Sequence, residues 1–537
     1  MTHPPHPDAA DAPPGTGEPV AGQPPGAAGE VGGVGRAVAH NTGLNLLAAL
    51  APVAVAVVTI PVVIRGYGLE RFGILALAQV LLGYFGMFDL GLGRATTRFV
   101  SAALGQNDEE TAANTLWTSL PLSAALGLVG SLILAAVAPV LVGHVLKVPA
   151  GLARECQLAL YGIAGMIPFA VITSGLMGFL EAQQRFDLAN LLQVPASIGS
   201  QFLPVAVLPF SRNIGVVVLG LVVVRAVLAF ATFRTCLRTL PALRRRRRPD
   251  RATMRRLLTF GGWLTVSNIV GPLMVNLDRF AIGAVMSLKA VAYYTTPYDV
   301  ISRVLIVPSS LLRAVYPVFG STSPERVPEL RDLLRQSSKL LALALTLVLV
   351  PVVALATDLL RLWLGQQFAL QAASVLKILC VGVLINAVAF VPYGLIQGVG
   401  RPDLTAKLHL TELVIYVPLL WLLLHLFGIV GAAIAWTLRA TLDASLLFIF
   451  ALSMVHSGRS TVGNRLIRRT GLLIGVTVAL AWGLGSLHTG VTARILLTLL
   501  LEASLVLLVW RQALDDSERG DVRRAAVALT LRPRSRL

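Results

Sequence analysis

Four arginines, Arg225, Arg279, Arg303 and Arg439, stand inside long apolar runs, and four acids, Asp278, Asp299, Glu412 and Asp443, share those runs. A guanidinium is a planar fork that grips phosphate or carboxylate oxygens two at a time. An ionisable group at mid-bilayer costs a few kcal/mol, so it turns toward a cavity or a partner. One reading is therefore a cationic lining for an anionic ligand, with the acids balancing charge or carrying a coupling proton. The competing reading is neutralisation at home. Arg439 with Asp443, and Arg303 with Asp299, are four positions apart, only about 40° around a helix. Arg225 has no acid in its own run. Asp278 and Arg279 are adjacent, about 100° apart on a helix. They do not make a simple pair; one can face inward while the other snorkels to the interface.

Those residues belong to a repeat. Gly93-Arg94-Ala95 is echoed by Leu312-Arg313-Ala314, Arg185-Phe186-Asp187-Leu188 by Arg401-Pro402-Asp403-Leu404, and Arg225-Ala226 by Arg439-Ala440. Arg313 follows Arg94 by 219 positions, Arg401 follows Arg185 by 216, and Arg439 follows Arg225 by 214. The slow drift fits a duplicated unit with slightly different loops. Arg225 and Arg439 each lie about eleven residues into their runs, so the repeat places both near mid-depth, one per half.

The elements that must position them are membrane helices. The 537 residues are 55% hydrophobic and 13% charged, with mean hydropathy +0.75; soluble domains carry roughly 25% charge. Apolar stretches of about 20 residues suit a hydrocarbon core about 30 Å thick. They predict an all-α integral membrane protein with about fourteen spans, at roughly 43–64, 72–93, 115–142, 157–180, 188–210, 214–236, 259–282, 292–316, 338–360, 370–396, 404–426, 428–452, 466–487 and 491–511. The implied organisation is a disordered tail at about 1–40, a six-helix bundle at 41–240, a basic linker at 241–256, a second six-helix bundle at 257–456, two further helices at 457–513 and a tail at 514–537. The last tail, from about 515 on, reads either as disordered or as lying on the membrane surface.

Net charge is +18. The excess collects in the even-numbered connections: Arg94 and Arg98, Arg185, the block Arg244 to Arg248, Arg326 to Lys339, Arg401 and Lys407, and Arg459 to Arg469. The positive-inside rule then makes these connections and both termini cytoplasmic. Arg94 and Arg313, with Asp89, read as anchors at that surface. The Arg244–Arg248 block reads as a topology anchor touching anionic headgroups rather than a nucleic-acid site.

Enzyme chemistry finds no foothold. There is no Gly-x-x-x-x-Gly-Lys loop, no His-Glu-x-x-His and no Gly-x-Ser-x-Gly. Cys156, Cys236 and Cys380 are too scattered for a disulfide framework or metal site. His409 and His425 read as packing or interface residues. No cofactor, metal or nucleic acid is expected.

Gly68-Leu-Glu-Arg-Phe-Gly-Ile74 and Asp89-Leu-Gly-Leu-Gly-Arg-Ala95 resemble the first two helices of O-antigen-type polysaccharide flippases, within the multidrug/oligosaccharidyl-lipid/polysaccharide exporter superfamily. Leu277-Asp278-Arg279, Ala292-Tyr293-Tyr294, Pro317 and the Gln397–Asp403 turn resemble that family's second half. The resemblance spans about residues 40–512. It implies two pseudo-symmetric six-helix bundles around a central cavity, with two added helices. It also implies an undecaprenyl-diphosphate-linked oligosaccharide moved between leaflets by alternating access, with polysaccharide polymerase and glycosyltransferases as neighbours. Three rivals compete: a peptidoglycan-precursor flippase, a cation-coupled drug exporter, which should favour an acidic, aromatic-lined cavity, and a non-transporting scaffold. The mid-span charges lean basic, which speaks against the drug exporter.

Overall fold

The computed structural model describes residues 54–87, 91–245, 247–320, 327–455, 461–487, 489–514 and 518–520. Among them there are helices and connections but no strand. In chain order the α-helices are α1 (Ala54–Tyr67), α2 (Leu69–Met87), α3 (Leu92–Gly105), α4 (Glu109–Val140), α5 (Ala153–Ala182), α6 (Phe186–Val207), α7 (Ile214–Thr239), α8 (Arg251–Val285), α9 (Leu288–Ile301), α10 (Ile306–Gly320), α11 (Val327–Ala354), α12 (Ala356–Leu364), α13 (Gln366–Gly398), α14 (Pro402–Met454), α15 (Thr461–Leu484) and α16 (Val491–Leu508). Seven helical segments among the described residues are long and apolar enough to cross a membrane. The chain is a multi-pass, all-helical membrane protein.

The duplication is visible in where helices begin. Leu288 follows Leu69 by 219 positions, Val327 follows Glu109 by 218, Gln366 follows Ala153 by 213, and Pro402 follows Phe186 by 216. Capping repeats too. Arg185 closes on Asp187 with two bonds of 3.0 Å at the start of α6. Arg401 does the same on Asp403 at 3.0 and 3.3 Å at the start of α14. The second membrane segment is interrupted in both halves: by Gly91, with φ 70°, in one, and by a 3-10 turn, Ser302–Leu305, in the other.

Three sequence expectations need correcting. The second span does not stop at Arg94. Residues 92–105 form a further helix with Leu92, Ala95, Thr96, Val100 and Ala103 buried. That i, i+3, i+4 spacing is an amphipathic stripe, and Arg94 is exposed on its other face. The ninth span ends at Ala354, and α12 is a separate short helix. Lys339, counted with the basic residues of a cytoplasmic connection, lies about three turns inside α11. It is buried against Glu518 (Nζ–Oε2 2.6 Å; side chains 5% and 3% exposed) and also donates to the Ala513 carbonyl at 3.1 Å. The segment around Glu518, neither of whose two readings was docking, packs on α11, and the Arg519 Nε–H caps the Trp510 carbonyl at 2.9 Å. The spans expected at 404–426 and 428–452 are the two arms of α14. Asp89, the Arg313 side chain, Arg326, Arg459, the Arg465 side chain, the tail at 1–40, and residues 515–517 and 521–537 of the last tail fall outside the described residues.

The halves meet at both ends. At the arginine-rich end Leu257 of α8 packs on Leu92 and Ala95, and Arg247 of the basic block pairs with Glu110 at 3.3 Å. At the opposite end α2 runs against α9. Lys289 pairs with Glu70 at 3.1 Å, and the Lys147 N–H donates to the Gly283 carbonyl at 3.1 Å. Gly73 is required there, because a Cβ would stand 2.1 Å from the Leu288 carbonyl oxygen.

One turn sets the register of the second half. Gly428 breaks α14 with φ 59° and ψ −141°, a region essentially reserved for glycine. The arms 402–427 and 429–454 run antiparallel from it, since Glu412 meets Arg439 and His409 meets Asp443. Gly428→Ala is expected to destabilise the protein by on the order of 1–3 kcal/mol, read as a lower midpoint of thermal unfolding in detergent.

Candidate functional site

The hairpin of α14 brings three of the sequence candidates together, Glu412, Arg439 and Asp443, and α8 and α9 add three more. Arg279, on α8, reaches Asp299 on α9 (Nη2–Oδ1 2.7 Å). Its own backbone N–H donates to the Asp278 carboxylate at 2.8 Å, and the Tyr294 hydroxyl donates to the other oxygen of Asp278. Asp278 and Arg279 thus avoid the direct side-chain pair that their 100° separation forbids. The Arg279 guanidinium lies 4.9 Å from the centre of the Tyr298 ring, within cation–π range. Tyr298 stacks beside Tyr294 and sets its edge on Trp436, centroids 5.4 Å apart.

Trp436 links this group to Arg439, which lies 5.7 Å from the centre of Tyr416 and 5.8 Å from that of Trp436. Arg439 is 8% exposed and faces Glu412, 1% exposed, at 3.6 Å. That separation is a charge contact rather than a hydrogen bond. Asp443 takes His409 at 3.9 Å, and His409 stacks on Tyr393. The expected pairs four apart do not form: Arg439 takes Glu412 rather than Asp443, and Asp299 takes Arg279 rather than Arg303. Antiparallel packing across the hairpin brings the Glu412 carboxylate nearer to Arg439 than the Asp443 carboxylate on its own arm.

Four acids and two guanidiniums meet in this cluster, so carboxyl groups outnumber guanidiniums two to one. The basic lean read from the sequence does not describe it. The rings of Tyr294, Tyr298, Tyr416 and Trp436 were missed by sequence reasoning. Their signal was present as Tyr294 and Tyr298 four apart, Glu412 and Tyr416 four apart, and Trp436 and Arg439 three apart, each pair on one helix face.

Arg225 has a different fate. It lies on α7 in register with buried Val218, Leu221, Leu228 and Thr232, opposite the exposed stripe Val216, Leu219, Val223, Val227 and Phe230. Its side chain therefore points into the protein and away from lipid. It is half-buried and makes no ion pair or hydrogen bond among the described residues. The first half offers it nothing like the Glu412 clasp: positions 214 to 216 before Glu412 hold Ala196, Ser197 and Ile198, and the position 214 before Trp436 holds Val222. Arg303 is exposed in the 3-10 turn between α9 and α10, likewise without an ion pair among the described residues. The four arginines split into two that are clasped, Arg279 and Arg439, and two that are uncommitted, Arg225 and Arg303.

Among the described residues no group of three His, Cys, Asp or Glu side chains is arranged to hold a metal ion. The three cysteines are free and buried.

The chain is similar to a putative O-antigen transporter of Shigella flexneri, 29% identical over 426 residues, which is 76% of this chain and 96% of that protein. Among solved structures it is similar to a multidrug resistance MATE family transporter of the MOP superfamily in an inward-facing conformation, with TM-score 0.65, 18% identity, 76% of this chain and 94% of that one covered. It is equally similar in TM-score, 0.65, to the lipid II flippase MurJ in an inward closed conformation, at 11% identity, with 88% of this chain and 98% of that one covered. These likenesses establish the fold. A family model for polysaccharide biosynthesis proteins matches residues 38–323, more than half of the 537, and the chain belongs to that family.

Proposed function

We propose that this protein is a lipid-linked oligosaccharide flippase. It moves undecaprenyl-diphosphate-linked sugar units from the inner to the outer leaflet of a bacterial cytoplasmic membrane, for polysaccharide export, and no covalent bond is made or broken. Both termini are cytoplasmic, residues 41–240 and 257–456 act as two bundles joined by the basic linker 241–256, and 457–513 is an appended helix pair. Polymerase and glycosyltransferases are its working neighbours. The observation that carries this reading is Arg225: a guanidinium on the interior face of an apolar helix, about eleven residues from its start, with no partner among the described residues. An arginine left so costs a few kcal/mol, a cost that a diphosphate would offset through charge-assisted bonds.

The physics of the cargo agrees. A sugar diphosphate cannot shed its water into hydrocarbon, while a polyprenyl tail is at home there. A headgroup passing between the bundles needs a cation at mid-depth, supplied by Arg225, and a second at the interrupted helix, supplied by Arg303. Arg279 and Arg439 hold the second bundle together. The acid excess of Asp278, Asp299, Glu412 and Asp443 is where a coupling proton would ride.

The same acid-rich, ring-lined cluster favours a second reading, cation-coupled export of a positively charged compound, for which Arg225 would be out of place. The test is a proteoliposome assay with a fluorescent lipid-linked sugar. The flippase reading expects leaflet exchange well above empty vesicles. Exchange no faster than in empty vesicles, with drug transport in the same vesicles, would favour the second reading.

A further inference from the structure

The α14 hairpin sets acceptors against each other. Glu412 on one arm and Asp443 on the other come within hydrogen-bonding reach across the hairpin. Both oxygens of Glu412 and Oδ1 of Asp443 are buried with no hydrogen-bond partner. Arg439 faces Glu412 Oε2 at 3.6 Å, too far for a hydrogen bond. One guanidinium thus confronts two carboxyl groups. Ionised carboxylates only accept hydrogen bonds, and two side by side repel. One added proton removes both faults. It turns one carboxyl into a donor toward the other and leaves a single negative charge opposite Arg439. A proton also needs no room, which suits atoms shut off from solvent.

We infer that Glu412 and Asp443 hold one proton between them, loaded through His409. Side-chain exposure falls from 30% at His409 to 10% at Asp443 and 1% at Glu412, the order of a path inward. His409 and Glu412 stand seven and ten residues after Pro402, about 10 and 15 Å along the helix. The path therefore opens toward the arginine-rich face, and the pair sits near mid-depth of a core about 30 Å thick. His409 Nε2 lies 3.9 Å from Asp443 Oδ1. When that gap shortens by about 1 Å, a protonated imidazole passes its Nε2 proton to Oδ1 and returns to neutral. The other titratable groups around the pair, among the described residues, are Arg439 and Tyr416 of α14, Tyr393 of α13, Asp278 of α8, and Tyr294 and Tyr298 of α9. Only an imidazole readily gains and loses a proton near neutral pH, so His409 is the one suited to relay it. The assignment deepens the flippase reading by naming the seat of its coupling proton, and its part in transport rests on that reading. Proton release sets two carboxylates against Arg439, which touches Trp436 and through it Tyr298 of α9.

Infrared difference spectroscopy of the full chain in detergent micelles, without cargo, reads the proton itself. At neutral pH the unmodified protein should show the C=O stretch of a buried protonated carboxyl that shifts in D2O. Glu412→Gln and Asp443→Asn keep nearly native shape, and each should remove that band, because the surviving carboxyl is left alone with Arg439 and ionises. A band from any other carboxyl would stay in both variants. His409→Asn should keep the band and slow its shift in D2O by on the order of a hundred-fold, the scale of a positioned proton relay. A band absent from the unmodified protein, one that survives both carboxyl variants, or an exchange as fast in His409→Asn as in the unmodified protein would overturn the inference. A protein that passes these tests and yet exchanges no lipid-linked sugar in proteoliposomes would sink the flippase reading instead.

Discussion

Arg225→Met is expected to reduce lipid-linked sugar flipping by on the order of a hundred-fold while leaving the protein as stable as before, or more so. The functional loss follows from removing a charge partner of the diphosphate, an effect of about 2–5 kcal/mol. The stability expectation follows from the same observation read the other way. Nothing among the described residues pairs with Arg225, so no folded-state ion pair is lost, and a charge costing about 2.5–3.5 kcal/mol on insertion scales is removed. Arg225→Lys should fall between, because it keeps the charge and loses the fork. Flipping in proteoliposomes and thermal unfolding of the same preparations check both halves. A variant that flips normally, or one that unfolds early, would return Arg225 to a structural role.

Arg439→Met should behave in the opposite way. Its guanidinium is the cation facing Glu412 at 3.6 Å, and Glu412 is 1% exposed. Removing one member of a buried pair leaves the other charge uncompensated, which costs about 3–5 kcal/mol. The double variant Arg439→Met with Glu412→Met should recover most of that loss, since two apolar side chains of similar volume replace a pair that had to be desolvated. Thermal unfolding of the two single variants and the double closes the cycle. Additive losses would mean that the contact carries no coupling.

These opposed expectations fall on residues that the repeat makes equivalent, and they show where the sequence was legible. The apolar runs and the offset of 214 to 219 positions located the helices and the duplication, because span length and periodicity are local properties. The Arg185–Asp187 and Arg401–Asp403 clasps are local as well, and they appear in both halves. What the sequence could not supply was which acid each arginine chooses. Spacing on one helix suggested Asp443 for Arg439 and Asp299 for Arg303. The Gly428 hairpin instead presents Glu412 from the other arm, and the turn between α8 and α9 gives Asp299 to Arg279. Partners that lie 27 and 20 positions apart depend on the hairpins' register, which hydrophobic periodicity does not encode. The helix over residues 92–105 was hidden for a different reason. Its polar face held the arginines that mark a loop, and the apolar stripe beneath them was short.

The account turns on one uncommitted guanidinium facing a water-filled passage. Arg225→Cys, in the full chain whose native thiols are buried, puts a probe at that position, and labelling by a charged, membrane-impermeant thiol reagent reads its access to water. The account predicts labelling from the arginine-rich face that slows when lipid-linked sugar is added. A thiol that resists the reagent from both faces, or one that labels equally fast with the sugar present, would contradict it.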